Sequence, residues 1–484
     1  MRMSMALTRG AFFQRWPLIL GSLIGALAAA AAVGLRWEIQ AGIVAVPIGV
    51  LAALWALNEP MRWWMGFVVA ALLLPPLPLE VGSSGPHPSL AFAALGLWVG
   101  AAQLGRWRVR LDGLAIALLA FTAWLAATAT IAALYSGPQV AAGGLARVGL
   151  FAIGVFIYFY VTDGPGRFAA MGEFAWARLG FFVAAASALW ACIGFFLHLE
   201  PLGRFAPQYV WLPFGVYRRA QGVFNEAGML GNLCAMFLIM AAVAACRADV
   251  RKRIASGVPM FVGVAVLLAA LAVSFSRSPV AGLLAALLAL ILLEGRRVQV
   301  WRLLAFVVAV MAGLAILAAY WIPNLAEAYW LRLSDTIVYA GDETAAVLSG
   351  RLETWALLLD RLAAHPGVLL TGIGYKTLPY TSYFGEPVTA DNMYLSLIAE
   401  TGIPGLLLMG VLTIAMLRAG LEARRSGSTA AWFYGTWFVC FWVSELVQML
   451  SVDVLTYWRV LPLAFFTLAL ARREAMAGEA AAVR

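Results

Sequence analysis

Four arginines and one aspartate are the residues of this chain best suited to chemistry. Arg218 and Arg219 precede the stretch QGVFNEAG, Arg277 sits in SFSRSP, and Arg351 follows Gly350 in SGRLETW. A guanidinium is permanently charged and grips phosphate oxygens in pairs. Two or three of them converging would suit a diphosphate, and would stabilise the charge that grows on it as a leaving group. A hydroxyl nucleophile also needs a base, and Asp391 in ADNMYLSL is the best-placed candidate. Glu226 and Glu353 are further acids, Asn392 and Tyr394 stand beside Asp391, and Glu445 lies within FWVSELVQML.

Each of these residues also has a plainer reading. Arg277, flanked by serines and followed by Pro279, suits an arginine snorkelling to lipid headgroups at a helix start. Asp391 suits a helix N-cap, where its charge matches the helix dipole, and cap and base are compatible roles. Glu445, deep in an apolar run, must face the bundle interior, where it tunes a site or satisfies a buried polar contact. The recurrence of Leu352, Trp355, Ala356, Leu359 and Leu362 predicts an amphipathic helix on the membrane surface or capping the bundle, its stripe serving packing. The chain has no DxD motif, and His87, His198 and His365 are too scattered for a transition metal. No metal and no cofactor are expected. Cys192, Cys234, Cys246 and Cys440 fit neither a disulfide framework nor a zinc site.

The elements that position these residues follow from composition. The 484 residues are 63% hydrophobic and 12% charged, against roughly 25% charged in a soluble domain. This places the chain among all-α polytopic membrane proteins. The net charge of +9 falls between apolar spans, which implies membrane anchoring and excludes nucleic acid as the partner. Apolar runs long enough to span a bilayer recur about fourteen times (12–14), near 17–33, 40–57, 63–79, 88–105, 111–135, 145–162, 174–198, 223–246, 256–275, 279–294, 301–323, 392–417, 428–450 and 456–471. Residues 1–323 are read as transmembrane helices 1–11, residues 324–391 as a periplasmic loop with the amphipathic helix, and residues 392–484 as the C-terminal transmembrane helices. The basic N-terminal stretch and first apolar run read as an uncleaved first helix.

Placing the N-terminus in the cytoplasm and alternating puts about two thirds of the 33 Lys and Arg residues on the cytoplasmic side, which supports both termini inside. The exceptions cluster. Arg204, Arg218 and Arg219 share one outer segment, Arg277 occupies a second, and Arg332, Arg351, Arg361 and Lys376 share the long loop. An anionic substrate at the outer face is the simplest reason to keep cations there.

Four segments carry a resemblance. RRAQGVFNEAGMLGNLCAMFL resembles an arginine-bearing Gly-x-Phe segment leading into a membrane helix. SFSRSPVAGLLAALLAL looks like a Ser-Arg helix start, and SGRLETWALLLDRLAAHPGVLLTGIGYK like a Gly-Arg…Trp…His-Pro…Gly-x-Gly loop. ADNMYLSLIAETGIPGL is similar to a His-Asn, nine residues, Gly-x-x-Gly motif, with Asn392, Gly402 and Gly405 in register. In this order they resemble the O-antigen ligase and O-antigen polymerase superfamily over roughly residues 215 to 410.

The resemblance implies a metal-independent inner-membrane glycosyltransferase. Its donor would be an undecaprenyl-diphosphate-linked glycan at the periplasmic face, its acceptor a glycan or glycolipid. The motif match implies diphosphate binding by Arg219 or Arg218, Arg277 and Arg351, and a base at position 391. Tyr394, Tyr375, Trp355 and the aromatics around Trp211 could then stack on sugar rings. The ligases carry histidine where this chain has Asp391, and a carboxylate is intrinsically the weaker base. That departure tilts the reading toward a polysaccharide polymerase. The alternatives are a ligase acting on lipid A–core, a protein O-oligosaccharyltransferase and a flippase or transporter of the lipid-linked glycan. Transport is disfavoured because the charges lie at the outer face and repeats are absent.

Overall fold

The structure is a computed structural model. It describes residues 61–77, 85–164, 172–202, 205–212, 215–255, 257–295 and 351–482, with four isolated positions before them. The expected spans at 17–33, 40–57 and 301–323, the loop up to residue 350, and Arg204 and Arg332 lie outside the described residues.

Among the described residues the chain forms fourteen α-helices: α1 (Arg62–Leu73), α2 (Ser89–Ala102), α3 (Gly113–Ser136), α4 (Pro138–Thr162), α5 (Ala175–Phe196), α6 (Ala227–Ala245), α7 (Ala248–Ile254), α8 (Val258–Val273), α9 (Arg277–Glu294), α10 (Arg351–Ala364), α11 (Val368–Thr371), α12 (Met393–Arg425), α13 (Thr429–Gln448) and α14 (Leu461–Ala482). Six of them, α3, α4, α5, α6, α9 and α12, are each long and apolar enough to cross a membrane, and the bent pair α7–α8 would make a seventh. All eleven expected spans within the described residues correspond to helices. The all-α reading omits one feature, a short antiparallel hairpin of β1 (Tyr209–Leu212) and β2 (Gly215–Arg218).

Helix boundaries follow local chemistry. The helix α1 stops before Pro75 and Pro76, which cannot continue it. Asp112 and Ser428 cap α3 and α13 with their side chains. The central helices α6 and α13 are buried along most of their length. A helix apolar all round belongs in the middle of a bundle. α13 packs on α6, α9, α12 and α14, and α3 and α4 form a hairpin that packs on α12 and α14.

α12 breaks at Gly402, whose φ of 71° is left-handed, two residues before Pro404. In a membrane the carbonyls freed by such a break need new partners. They find them in two other elements. Trp124 on α3 donates to the Thr401 carbonyl at 2.9 Å. The backbone N–H groups of Ile373 and Gly374 donate to the carbonyls of Ala399 and Glu400 at 3.0 and 2.9 Å.

The break thereby seats residues 351–391 as a cap with its own small core of Leu358, Leu362, Val368, Ile373, Leu378 and Phe384. Arg147 on α4 pins this cap by donating to the Lys376 carbonyl at 3.1 Å and the Tyr380 hydroxyl at 2.7 Å. The buried stripe of α10 differs from the expected one. Leu358 and Leu362 are buried, whereas Ala356 and Leu359 are exposed. Leu362 is thus shared by the expected stripe and the cap's core, and Trp355 of the stripe donates to the Ala390 carbonyl at 2.7 Å.

Candidate active site

The ends of α1, α3, α5, α8 and α13 meet the starts of α2, α4, α6, α9, α12 and α14 at one end of the bundle, and every candidate arginine sits there. Arg219 follows the β-hairpin. Its backbone N–H donates to the Gln208 carbonyl at 2.8 Å, and the next N–H, of Ala220, donates to Val273 at the end of α8. This carries the Arg219 guanidinium to the α8–α9 junction. Nε donates to the Ser274 carbonyl at 2.9 Å and Nη2 to the Ser276 hydroxyl at 2.7 Å. Arg277, the next residue, opens α9. Arg218 takes the other direction, donating to the Leu199 carbonyl, because successive strand residues point to opposite faces. Of the pair, Arg219 joins the cluster and Arg218 does not.

Arg351 arrives from the cap. The charges of Arg219, Arg277 and Arg351 lie close enough to act on one another. Arg351 Nε also faces Asp391 Oδ2 at 3.4 Å. Asp391 is not the helix cap that its position suggested. Asn392 caps α12, its side-chain oxygen accepting from the N–H groups of Tyr394 and Leu395 at 3.0 and 3.2 Å. Asp391 sits one residue earlier at a φ of 45°, with 51% of its side chain exposed. A left-handed non-glycine residue is strained. The Asp391 carboxylate meets Arg351 rather than the N–H groups of α12.

Glu226 is the second carboxylate of this end. It stands at the N-cap position of α6 but does not cap the helix. Gln208 does so instead, accepting from the Ala227 N–H at 2.9 Å. The Glu226 carboxyl is left facing Asp391, Arg219 and Lys376. Burial pushes it above the usual carboxylate range, the charge of Asp391 pushes the same way, and Arg219 and Lys376 pull it back. The Tyr457 hydroxyl lies over Gly228, within electrostatic reach of Glu226, Arg219 and Asp391. Together these groups place three guanidiniums beside two carboxylates, an arrangement able to bind an anion and move a proton.

Other candidates lie elsewhere. Lys376 is buried and paired with Asp453, and Arg361 donates to the Glu386 carbonyl at 3.0 Å. Arg361 is thus held within the cap, while Lys376 ties the cap to the α13–α14 connection. Glu445 is buried and accepts from Asn232 Nδ2 at 2.6 Å, the structural alternative for an intramembrane acid. Tyr375 is 1% exposed within the core, so its ring cannot stack on a sugar. Tyr394 is half-buried and donates to the Leu446 carbonyl at 2.9 Å. Trp355 is half-buried, and the Trp211 side chain lies outside the described residues. The glycines of both motifs are structural. A Cβ at Gly372 would collide with the Glu400 backbone, and one at Gly402 would sit 2.8 Å from Leu370.

One residue of this end escaped the sequence reading. Arg459 is 2% exposed and donates to the carbonyls of Ala71, Val223 and Leu74 at 2.7, 2.8 and 3.1 Å, with its guanidinium over the Phe224 ring. It ties α1 and α14 to the loop that carries Arg219. Its signal was present, since it is another cation against the inside bias, between Trp458 and an apolar run.

Fold and side-chain placement together define an all-α membrane protein with one end rich in buried and half-buried arginines. Residues 262–410 match the family model described as O-antigen ligase, a stretch that includes Arg277, Arg351, Asp391 and the Gly402–Gly405 break. That stretch is similar to the O-antigen ligase family, and the match supports a ligase- or polymerase-type function in broad terms. No curated protein matches the chain.

Proposed function

We propose that this chain is an inner-membrane glycosyltransferase that extends a polysaccharide from an undecaprenyl-diphosphate-linked donor. Arg219, Arg277 and Arg351 hold the donor diphosphate, and Asp391 holds the acceptor hydroxyl. The observation that carries this reading is the bonding of Arg219 to Ser274 and Ser276, beside Arg277, with Arg351 within electrostatic reach of both. Like charges brought together repel, so the arrangement is favourable with an anion among them. Cationic side chains then stabilise the diphosphate as the glycosyl–phosphate bond breaks, in place of a divalent ion.

The site end faces the periplasm and the termini face the cytoplasm in this reading. Its support is the charge of the opposite end, which holds Arg106, Arg108, Arg110, Arg251, Lys252, Arg253, Arg424 and Arg425.

A ligase transferring finished polysaccharide to lipid A–core is the second reading, favoured by the description of the matching family. Structural analysis of the polysaccharide from a deletion strain separates the two. Loss of polymer with single repeat units remaining marks the polymerase, and full-length polymer stranded on the carrier lipid marks the ligase. Unchanged polysaccharide contradicts both.

A further inference from the structure

We propose that Glu226 is the group that receives the acceptor's proton, while Asp391 holds the acceptor hydroxyl in place. The inference rests on the transferase reading and deepens it. Asp391 is half-exposed and faces Arg351 at 3.4 Å. A carboxylate already engaged by a guanidinium is placed to hold and orient a hydroxyl group.

Glu226 is placed differently. Its side-chain partner among the described residues is the Asn225 amide at 3.5 Å, the outer limit of a hydrogen bond. Gln208 has taken over the capping of α6, so the carboxyl has no structural task at the helix end. The titratable and charged groups within electrostatic reach of it are Asp391 from the start of α12, Arg219 from its own loop, Lys376 from the cap and Tyr457 from the α13–α14 connection. Lys376 is committed to Asp453 and Arg219 to Ser274 and Ser276. Burial raises the proton affinity of the Glu226 carboxyl, the direction that favours a proton acceptor.

The step balances. The acceptor oxygen forms its bond to the anomeric carbon. The bond from that carbon to the phosphate oxygen breaks, and the diphosphate leaves with the electron pair. The hydroxyl proton goes to Glu226, which returns it to solvent after product departs.

The test uses purified full-length protein with lipid-linked repeat units extracted from the deletion strain, and undecaprenyl diphosphate as the binding probe. E226Q is expected to bind undecaprenyl diphosphate within about twofold of wild type but to turn over about 10²-fold or more slowly, with E226D recovering part of the loss. The wild-type rate rises with pH along a limb above the ordinary carboxylate range, and E226Q lacks this limb. E226Q turning over within about threefold of wild type with the same limb overturns the proposal. Should E226Q lose probe binding, E226D decides: a displaced limb supports the role, and wild-type turnover with an unmoved limb overturns it. A wild-type protein that extends no glycan overturns the polymerase reading on which the proposal rests, whereas equal activity of wild type and E226Q overturns only the role of Glu226.

Discussion

Arg219 Nη2 donates to the Ser276 hydroxyl at 2.7 Å, across 57 residues of sequence. This bond anchors a loop arginine to the residue preceding Arg277 and brings two of the three cations together. Replacing Arg219, Arg277 or Arg351 with Ala is expected to abolish chain extension while the protein stays folded in the membrane. Ser276→Ala removes one anchor of Arg219. It should weaken undecaprenyl diphosphate binding by roughly tenfold, about 1.4 kcal/mol. Glycan gels and probe titration on membranes with matched protein levels read both effects.

Asp391 and Arg351 face each other at 3.4 Å. Asp391→Asn keeps the shape and removes the charge. It is expected to raise the acceptor KM and lower turnover by about 10²-fold, with undecaprenyl diphosphate binding retained. Steady-state kinetics with separately varied donor and acceptor measures this split.

The Gly402 break of α12 depends on a left-handed backbone packed against Leu370. Gly402→Ala is expected to cost roughly 1–3 kcal/mol in backbone strain, and more through the clash. The cap would loosen from α12. Thermal unfolding in detergent should show a lowered Tm, and protease should cut within residues 365–391 faster than in wild type.

Arg459 satisfies three carbonyls that otherwise lack these donors. Arg459→Met keeps the bulk and leaves those carbonyls without the guanidinium, at a cost of on the order of 3 kcal/mol. Arg459→Lys should recover part of it, since an ammonium can reach fewer of the three. Tm values of both variants against wild type test the order wild type, Lys, Met.

His87 gives a pH dependence of stability. Its ring lies between the Ser89 hydroxyl at 2.8 Å and the Leu74 carbonyl at 3.0 Å. Burial and the nearby charge of Arg459 lower its pKa to about 3. Below the ordinary histidine value of ~6.5, the unfolded chain takes up a proton that the folded chain refuses. Stability therefore falls as pH drops from ~6.5 toward 3, by on the order of 2 kcal/mol at pH 5. His87→Gln should flatten this slope in Tm measured between pH 7 and 5.

The apolar runs marked the helices, because a bilayer demands a long apolar segment for each span. The cations read as departures from the inside bias include Arg219, Arg277 and Arg351, whose charges lie within reach of one another. What the sequence hid was direction. Arg218 and Arg219 are neighbours in type and place, and only the strand alternation of the hairpin separates them. Asp391 and Asn392 are both good caps, and the left-handed turn at Asp391 decides between them. Tyr375, expected to stack on sugar, is tucked inward with Lys376 and Thr377 by the Gly-x-Gly loop. Arg459 needed the meeting of three remote segments, which no local pattern records.

The most direct test of the account is the position of the donor's diphosphate. A cryo-EM structure of the protein with undecaprenyl diphosphate is predicted to show its phosphate oxygens within hydrogen-bonding distance of Arg219, Arg277 and Arg351, with Asp391 and Glu226 beside the bond to be broken. Diphosphate bound at the opposite end of the bundle, or held without these arginines, would contradict it.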